Sequence, residues 1–279
     1  MDVYHYASFS DGNRGGNPAG VALLDVFPAD AEMLQIAAAL GYSETVFARP
    51  EQNGFRVRYF SPASEVPFCG HATLALGAAL CEKLGDGQFA LTLNDAQISV
   101  CGERVIEGFS VSLKSPPTRN SPMSDTAYKK VLEVFGYANA QINSSIPPAR
   151  IHAGADHFMI SLKARHCLAQ MRYDIDACRT FMVENEVLTV MLVWQETDAL
   201  FHVRNAFAGN GIFEDPATGA AAAAFAGYMR DKALSAEKQF VLLQGQEMGQ
   251  PSRLLTDATS PVGGVITVSG VVRPLPKIG

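Results

Sequence analysis

Apolar and polar residues alternate along this chain with two different periods, and the elements follow from where the period changes. Residues 3–9 and 19–24 alternate as strands do, around the glycine-rich stretch Asp11-Gly12-Asn13-Arg14-Gly15-Gly16-Asn17-Pro18, which reads as a turn. Residues 29–40 place Met33, Ile36, Ala37 and Leu40 at helical spacing, with Pro28 before them and Gly41 after, where helix ends favour these residues. Strands follow at 45–49 and 55–60. The stretch 71–82 differs in kind, being apolar nearly all round. A helix without a polar face must be buried on every side. Residues 217–229 repeat this character with small residues. Two such helices among many short strands predict two sheets, each wrapped around its own central helix.

A weak internal repeat agrees. Shifted by 146 positions, Phe55, Val57 and Arg58 meet Phe201, Val203 and Arg204, while Ala75 and Ala78 meet Ala221 and Ala224 and Cys69 meets Asp215. The Pro116-Pro117-Thr118-Arg119-Asn120-Ser121-Pro122 stretch reads as the loop joining the halves, with Pro147-Pro148 a second breakpoint. The expected halves are therefore 1–116 and 117–279, with a last strand near 270–279 able to return to the first.

Composition narrows the function classes. Hydrophobic residues make up 48% and charged residues 18%, which suits a packed core and not a disordered chain. The net charge of −6 argues against nucleic acid, whose phosphates call for a basic surface. The start of the chain lacks the basic and apolar regions of a signal peptide, and no run approaches the roughly eighteen apolar residues of a membrane span. The five cysteines (Cys69, Cys81, Cys101, Cys167, Cys178) are odd in number and irregularly spaced, as free thiols in a reducing compartment would be. The expectation is a cytoplasmic protein with no nucleic-acid or membrane partner.

Three segments carry candidate chemistry. Gly16-Asn17-Pro18-Ala19-Gly20-Val21 is either plain turn or a ligand contact. In Gly41-Tyr42-Ser43-Glu44-Thr45-Val46-Phe47, Glu44 lies between a helix stop and an apolar strand. It is either an exposed turn glutamate or a carboxylate drawn toward the core, where it would suit acid/base work. The third segment is Glu65-Val66-Pro67-Phe68-Cys69-Gly70-His71-Ala72-Thr73, with Phe213-Glu214-Asp215-Pro216-Ala217-Thr218-Gly219-Ala220 as its counterpart. Both lead into a buried helix, whose first-turn N–H groups lack partners and sit at the positive end of its dipole. The small residues Gly70, Ala72, Gly219 and Ala220 let an anion such as a carboxylate approach that backbone. Residues two apart near a helix start are not expected to face one another, so a Cys69–His71 pairing, with His71 as base to the thiol, is not expected. Asp174 and Asp176 read as a solvated face. The histidines show no metal-ligand spacing, and no metal site is expected.

The blocks Asn17-Pro18-Ala19-Gly20-Val21, Ser43-Glu44-Thr45, Glu65 to Thr73 and Glu214-Asp215-Pro216-Ala217-Thr218-Gly219 resemble the signature of the phenazine-biosynthesis F-like (PhzF-like) family, in order and spacing, along the whole chain. The resemblance implies an α+β diaminopimelate epimerase-like fold, with two pseudo-symmetric halves, each a curved mixed β-sheet around a central buried helix, and an active site in the cleft between them. It implies a homodimeric isomerase that shuttles a proton on a small carboxylate-bearing substrate without cofactor or metal. Carried over, the general acid/base falls on Glu44, with His71 and Asp215 as supporting catalytic residues. Asn17, Gly70, Ala72, Thr218, Gly219 and Ala220 fall at the substrate. A family serine five residues beyond the aspartate is Ala220 here, which leaves the substrate open. Related epimerases use two opposed cysteines; Cys69 has only Asp215 or Pro216 at its counterpart, so a two-thiol mechanism is not expected. The rival class is a non-catalytic small-carboxylate binding protein on the same fold.

Overall fold

The structure, a computed structural model, describes residues 2–276. The chain forms two compact units, one running to Lys114 and resuming at Ser269, the other spanning Ser115–Val268. The first contains β1 (Tyr4–Ser10), β2 (Asn17–Leu23), α1 (Asp30–Leu40), β3 (Thr45–Glu51), β4 (Gly54–Phe60), β5 (Glu65–Val66), α2 (Gly70–Leu84), β6 (Gly87–Thr92), β7 (Gln97–Val105) and β8 (Gly108–Lys114). The second contains β9 (Arg119–Pro122), α3 (Asp125–Phe135), β10 (Ala149–His152), β11 (Asp156–Leu162), α4 (Arg165–Ala169), α5 (Ile175–Glu184), β12 (Thr189–Gln195), β13 (Leu200–Phe207), β14 (Ile212–Asp215), α6 (Gly219–Asp231), β15 (Gln239–Gln244) and β16 (Ser252–Asp257). The last strand, β17 (Thr267–Pro274), starts at the unit boundary and runs antiparallel to β1.

In the first unit the strands pair in the order β1–β2–β3–β4–β6–β7–β8, and β17 pairs with both β8 and β1, so the pairing closes on itself. The helix α2 packs against β1, β2, β7 and β8, and every residue from His71 to Cys81 is buried. This is the arrangement an all-apolar helix demands. The fit is close: a β-carbon on Gly77 would lie 2.7 Å from the side chains of both Val100 and Val111. The amphipathic α1 instead covers the outer face, laying Met33 and Ala37 on Ala22, Phe47 and Phe60.

The second unit repeats this plan. Strands β10–β11–β12–β13–β15–β16 reproduce the alternation antiparallel, parallel, antiparallel, parallel, antiparallel of β1–β2–β3–β4–β6–β7. The alanine-rich α6 is buried from Ala221 to Arg230, against β9, β10 and β16. A second core lies beneath α3, α4 and α5, where Val131, Phe158, Ile160, Phe181 and Leu192 pack together. Asp174 caps α5 by accepting from the Ala177 N–H at 2.8 Å, and Asp176 pairs with Arg179 at the surface.

Three local expectations are corrected. Asn17 belongs to β2 and not to the turn: it pairs with Ser8 and is buried. The turn finishes at Gly16, whose φ of +84° and 2.8 Å clearance to the Ser8 carbonyl admit no side chain. The loop expected over 116–122 becomes strand from Arg119, paired with β10; Pro122 stands at the strand end, where its missing N–H is tolerated. The repeat register also changes along the chain. Strands β4 and β13 keep the 146-residue offset, but α2 and α6 start 149 apart, because β13 runs one residue longer than β4 and β14 two residues longer than β5. Cys69 therefore corresponds to Thr218, each being the residue that starts its helix, and not to Asp215.

The corrected register matches an ion pair in both units. Arg58 holds Glu65 with two hydrogen bonds, of 2.8 and 2.6 Å. Arg204 holds Glu214 in the same two-pronged way, with its Nε at 2.9 Å. Each pair ties the strand entering the central helix to the long strand beside it. The environments differ: the Glu65 side chain is 26% exposed and that of Glu214 is 3%. Breaking a buried pair strands a charge in low dielectric, whereas solvent screens a partly open one. Glu214→Gln is therefore expected to lower unfolding free energy by about 3 kcal/mol or more, and Glu65→Gln by about 1 kcal/mol or less. Urea denaturation of both variants checks this; equal losses would show that burial does not set the difference.

Candidate active site

Helix α1 ends at Gly41, which adopts φ 68° and donates its N–H to the Ala37 carbonyl. This stop turns the chain back, so that Ser43 and Glu44 form the approach to β3, itself held between β2 and β4. A second approach, Pro67-Phe68-Cys69, leads from β5 into α2. Cys69 is the N-cap of α2, with extended backbone (φ −145°, ψ 116°), and its side chain makes no capping hydrogen bond to the helix backbone. Its carbonyl accepts from the Thr73 hydroxyl at 2.7 Å, and Thr73 in turn meets the Tyr59 hydroxyl at 2.7 Å.

The two approaches bring four side chains together. Cys69 Sγ lies 3.5 Å from Glu44 Oε2, 3.3 Å from His71 Nδ1 and 3.9 Å from His71 Nε2. His71 Nε2 lies 3.4 Å from Glu44 Oε2 and 3.3 Å from Ser43 Oγ. The pairing of Cys69 with His71 corrects the expectation that residues two apart cannot meet. That rule holds within a helix, but the extended backbone of Cys69 takes its side chain off the helical wheel and toward the ring. The reading of Glu44 as an exposed turn residue is likewise replaced: its side chain is only 13% exposed.

Burial holds the imidazole of His71 below its ordinary protonation range, and the nearby Glu44 carboxylate offsets this only in part. Near neutral pH the ring is thus uncharged, one nitrogen donating and the other accepting. Gly70 remains partly open, with nothing within 4 Å of where a side chain would start, whereas Ala72 is fully buried within the unit.

The start of α6 carries a polar cluster of the second unit. Thr218 donates its hydroxyl to Asp215 Oδ2 at 2.5 Å. Gln244, from β15, donates to the Asp215 carbonyl at 2.7 Å and to Thr218 Oγ1 at 3.0 Å, and accepts from the Thr218 N–H at 3.2 Å. The hydroxyl of Thr218 is thus engaged sideways and does not cap the helix. Gly219 and Ala220 stay partly open. Sequence reasoning had missed Gln244: it lies 26 residues beyond Thr218 and only strand pairing delivers it. It had also left Ser43 without a role, although the block containing Glu44 includes it.

The sequence matches the family described as "Phenazine biosynthesis-like protein" over residues 6–270. The chain belongs to this PhzF family. An uncharacterized isomerase of Bacillus subtilis, YfhB, is 28% identical, over 95% of this chain and 92% of that protein. Another uncharacterized isomerase, from Mesorhizobium japonicum, is 30% identical over 91% and 89%. Among solved structures, a PhzF-family phenazine biosynthesis protein of Bacillus anthracis superposes with a TM-score of 0.85 at 20% identity, covering 99% and 98% of the two chains. A predicted epimerase of Pseudomonas aeruginosa gives 0.84 at 25% identity, covering 98% and 96%. A hydroxyproline epimerase from Agrobacterium vitis shares the fold at 0.64 and 11% identity, covering 98% and 88%. The α+β fold expected from the PhzF resemblance is thus the fold of the chain.

A buried neutral histidine in this PhzF chain makes a pH-dependent prediction. Its proton affinity is lower in the folded protein than in the unfolded one, so its contribution to stability is present above about pH 6.5 and is lost as pH falls below it. In NMR titrations the His71 ring should protonate below 6.5, and Glu44→Gln should move that midpoint lower still by removing the favourable carboxylate. A midpoint unmoved or raised in Glu44→Gln would show that the two groups do not interact.

Proposed function

We propose that the protein is an isomerase that moves a proton between two positions of one small carboxylate-bearing metabolite, without an organic cofactor. The observation that carries this reading is the Glu44–His71–Cys69 cluster at the start of a buried helix. A carboxylate there is mostly withdrawn from water yet open enough to reach a ligand, and is flanked by a neutral imidazole and a thiol. Glu44 takes a proton from a carbon beside an electron-withdrawing group, and the electron pair left behind spreads into that group. Glu44 then returns the same proton to another carbon, so the reaction consumes nothing. His71 positions Glu44 by directing its Nε2–H at the carboxylate. The first-turn N–H groups of α2 beside Gly70, which no side chain caps, hold the substrate carboxylate. Asn17, Asp215, Thr218, Gly219 and Ala220 are assigned the supporting and substrate-binding roles that membership of the family suggests. The names of the relatives, isomerases and a predicted epimerase, support the reaction class and leave the substrate to be identified. The proposal includes a cytoplasmic homodimer acting on free small molecules.

The test is NMR of a panel of cyclic and amino-acid carboxylates in D2O. The wild type should incorporate deuterium into at least one of them, and Glu44→Gln should slow this by roughly 10²–10⁴-fold. Exchange at an undiminished rate in Glu44→Gln would remove Glu44 from the chemistry. Binding of carboxylates with no exchange across the panel would favour the non-catalytic binding protein.

A further inference from the structure

At the end of α2 away from the Glu44 cluster, a cleft of about 360 Å³ opens in the first unit, between the last turn of that helix, the β7–β8 hairpin and β17. Glu82, at its edge, lies roughly 16 Å along the helix axis from His71, at 1.5 Å per residue. The hairpin is seated hard on β17: a β-carbon on Gly108 would lie 2.4 Å from the Val272 carbonyl oxygen. Four charged side chains line the cleft, Glu82, Arg104, Glu107 and Arg273. Two cations and two anions so placed would ordinarily close on one another. Among the described residues, however, no ion pair joins any of the four to another charged group.

Three of the four are held by contacts that do not neutralise them. Glu82 accepts from the Tyr6 hydroxyl. The Arg104 guanidinium lies over the Phe109 ring, 4.9 Å from its centre, and makes no side-chain hydrogen bond among the described residues. Arg273 donates through Nη2 to the Gly15 carbonyl at 3.2 Å, while its Nε, sealed from water, has no acceptor. Charges fixed in place without a counter-charge are preorganised for a ligand that brings one. Val105 and Ile106 add an apolar wall, and Ile106 is fully exposed.

We propose that this cleft binds a small zwitterion, an α-amino acid with an apolar side chain. Its carboxylate lies at Arg104 and Arg273, its ammonium at Glu82 and Glu107, and its side chain against the hairpin. A simple anion would meet two carboxylates and a simple cation two guanidiniums; only a ligand with both signs answers all four. The volume lies at the small end of the range for metabolite pockets, which suits an amino acid. This binding does not rest on the isomerase reading, since it uses no residue of the Glu44 cluster.

Nitrogen-15 NMR of the full-length protein follows the side-chain Nε–H signals of Arg104 and Arg273 during titration with L-leucine. Both signals should shift saturably, with a dissociation constant of about 1 mM or tighter. N-acetyl-L-leucine lacks the ammonium and L-leucine methyl ester lacks the carboxylate, so each should bind at least about tenfold more weakly. Arg104→Gln, at an exposed side chain, should weaken L-leucine binding by a similar factor, read on the Arg273 signal. Glu44→Gln should leave the titration unchanged. Absence of a saturable shift, equal binding of either blocked derivative, or a titration unmoved by Arg104→Gln would each overturn the proposal. A response that disappears in Glu44→Gln would do so too, by placing the amino acid at the cluster instead. Because no arm measures turnover, failure here is separate from failure of the isomerase reading.

Discussion

The structure depends on one constraint, that a helix with no polar face cannot meet water. Helix α2 satisfies it by lying within a closed round of strands. Residues small enough for that space, such as Gly77 between Val100 and Val111, follow from the tightness of the fit. Burying the body of the helix leaves its first turn as the part that reaches the edge of the unit. The same burial that holds the first unit together thus leaves Gly70, at the start of that turn, partly open, with Cys69 and His71 buried on either side of it.

The second unit solves the same problem with different residues. Its strand order and its Arg204–Glu214 pair repeat the first unit, but at the helix start Thr218 stands where Cys69 stands, and Ala220 where His71 stands. The chemistry has diverged while the scaffold has not. Scaffold positions answer to packing, which tolerates few alternatives, whereas the two helix starts carry different side chains. In the first unit the polar groups meet through side chains, around His71. In the second they meet through Gln244, which fastens Asp215 and Thr218 to β15.

Much of the architecture was legible beforehand. The all-apolar stretches identified the central helices, the amphipathic spacing of Met33 and Ala37 identified α1, and proline with glycine marked its ends. These features are local or periodic, and local physics controls them. The repeat was legible as an offset in the strands but not in the helices, because three residues added within the strands of one copy shift everything after them without leaving a compositional trace. The residues of the site were legible as types in recognisable blocks. Their contacts were not.

The sequence by itself determined the class of fold, the two buried helices and the family, since hydrophobic period and block spacing are properties of the chain. Only the tertiary structure decided that Asn17 is a strand residue, that Glu44 is withdrawn from solvent, and that Cys69 touches both Glu44 and His71. Each of these depends on a backbone direction at an element boundary: Gly16 closing a turn, Gly41 stopping a helix, Cys69 standing extended at an N-cap. At such points the region of φ and ψ that a residue adopts chooses which side chains meet, and that region is set by the packing of the elements on either side.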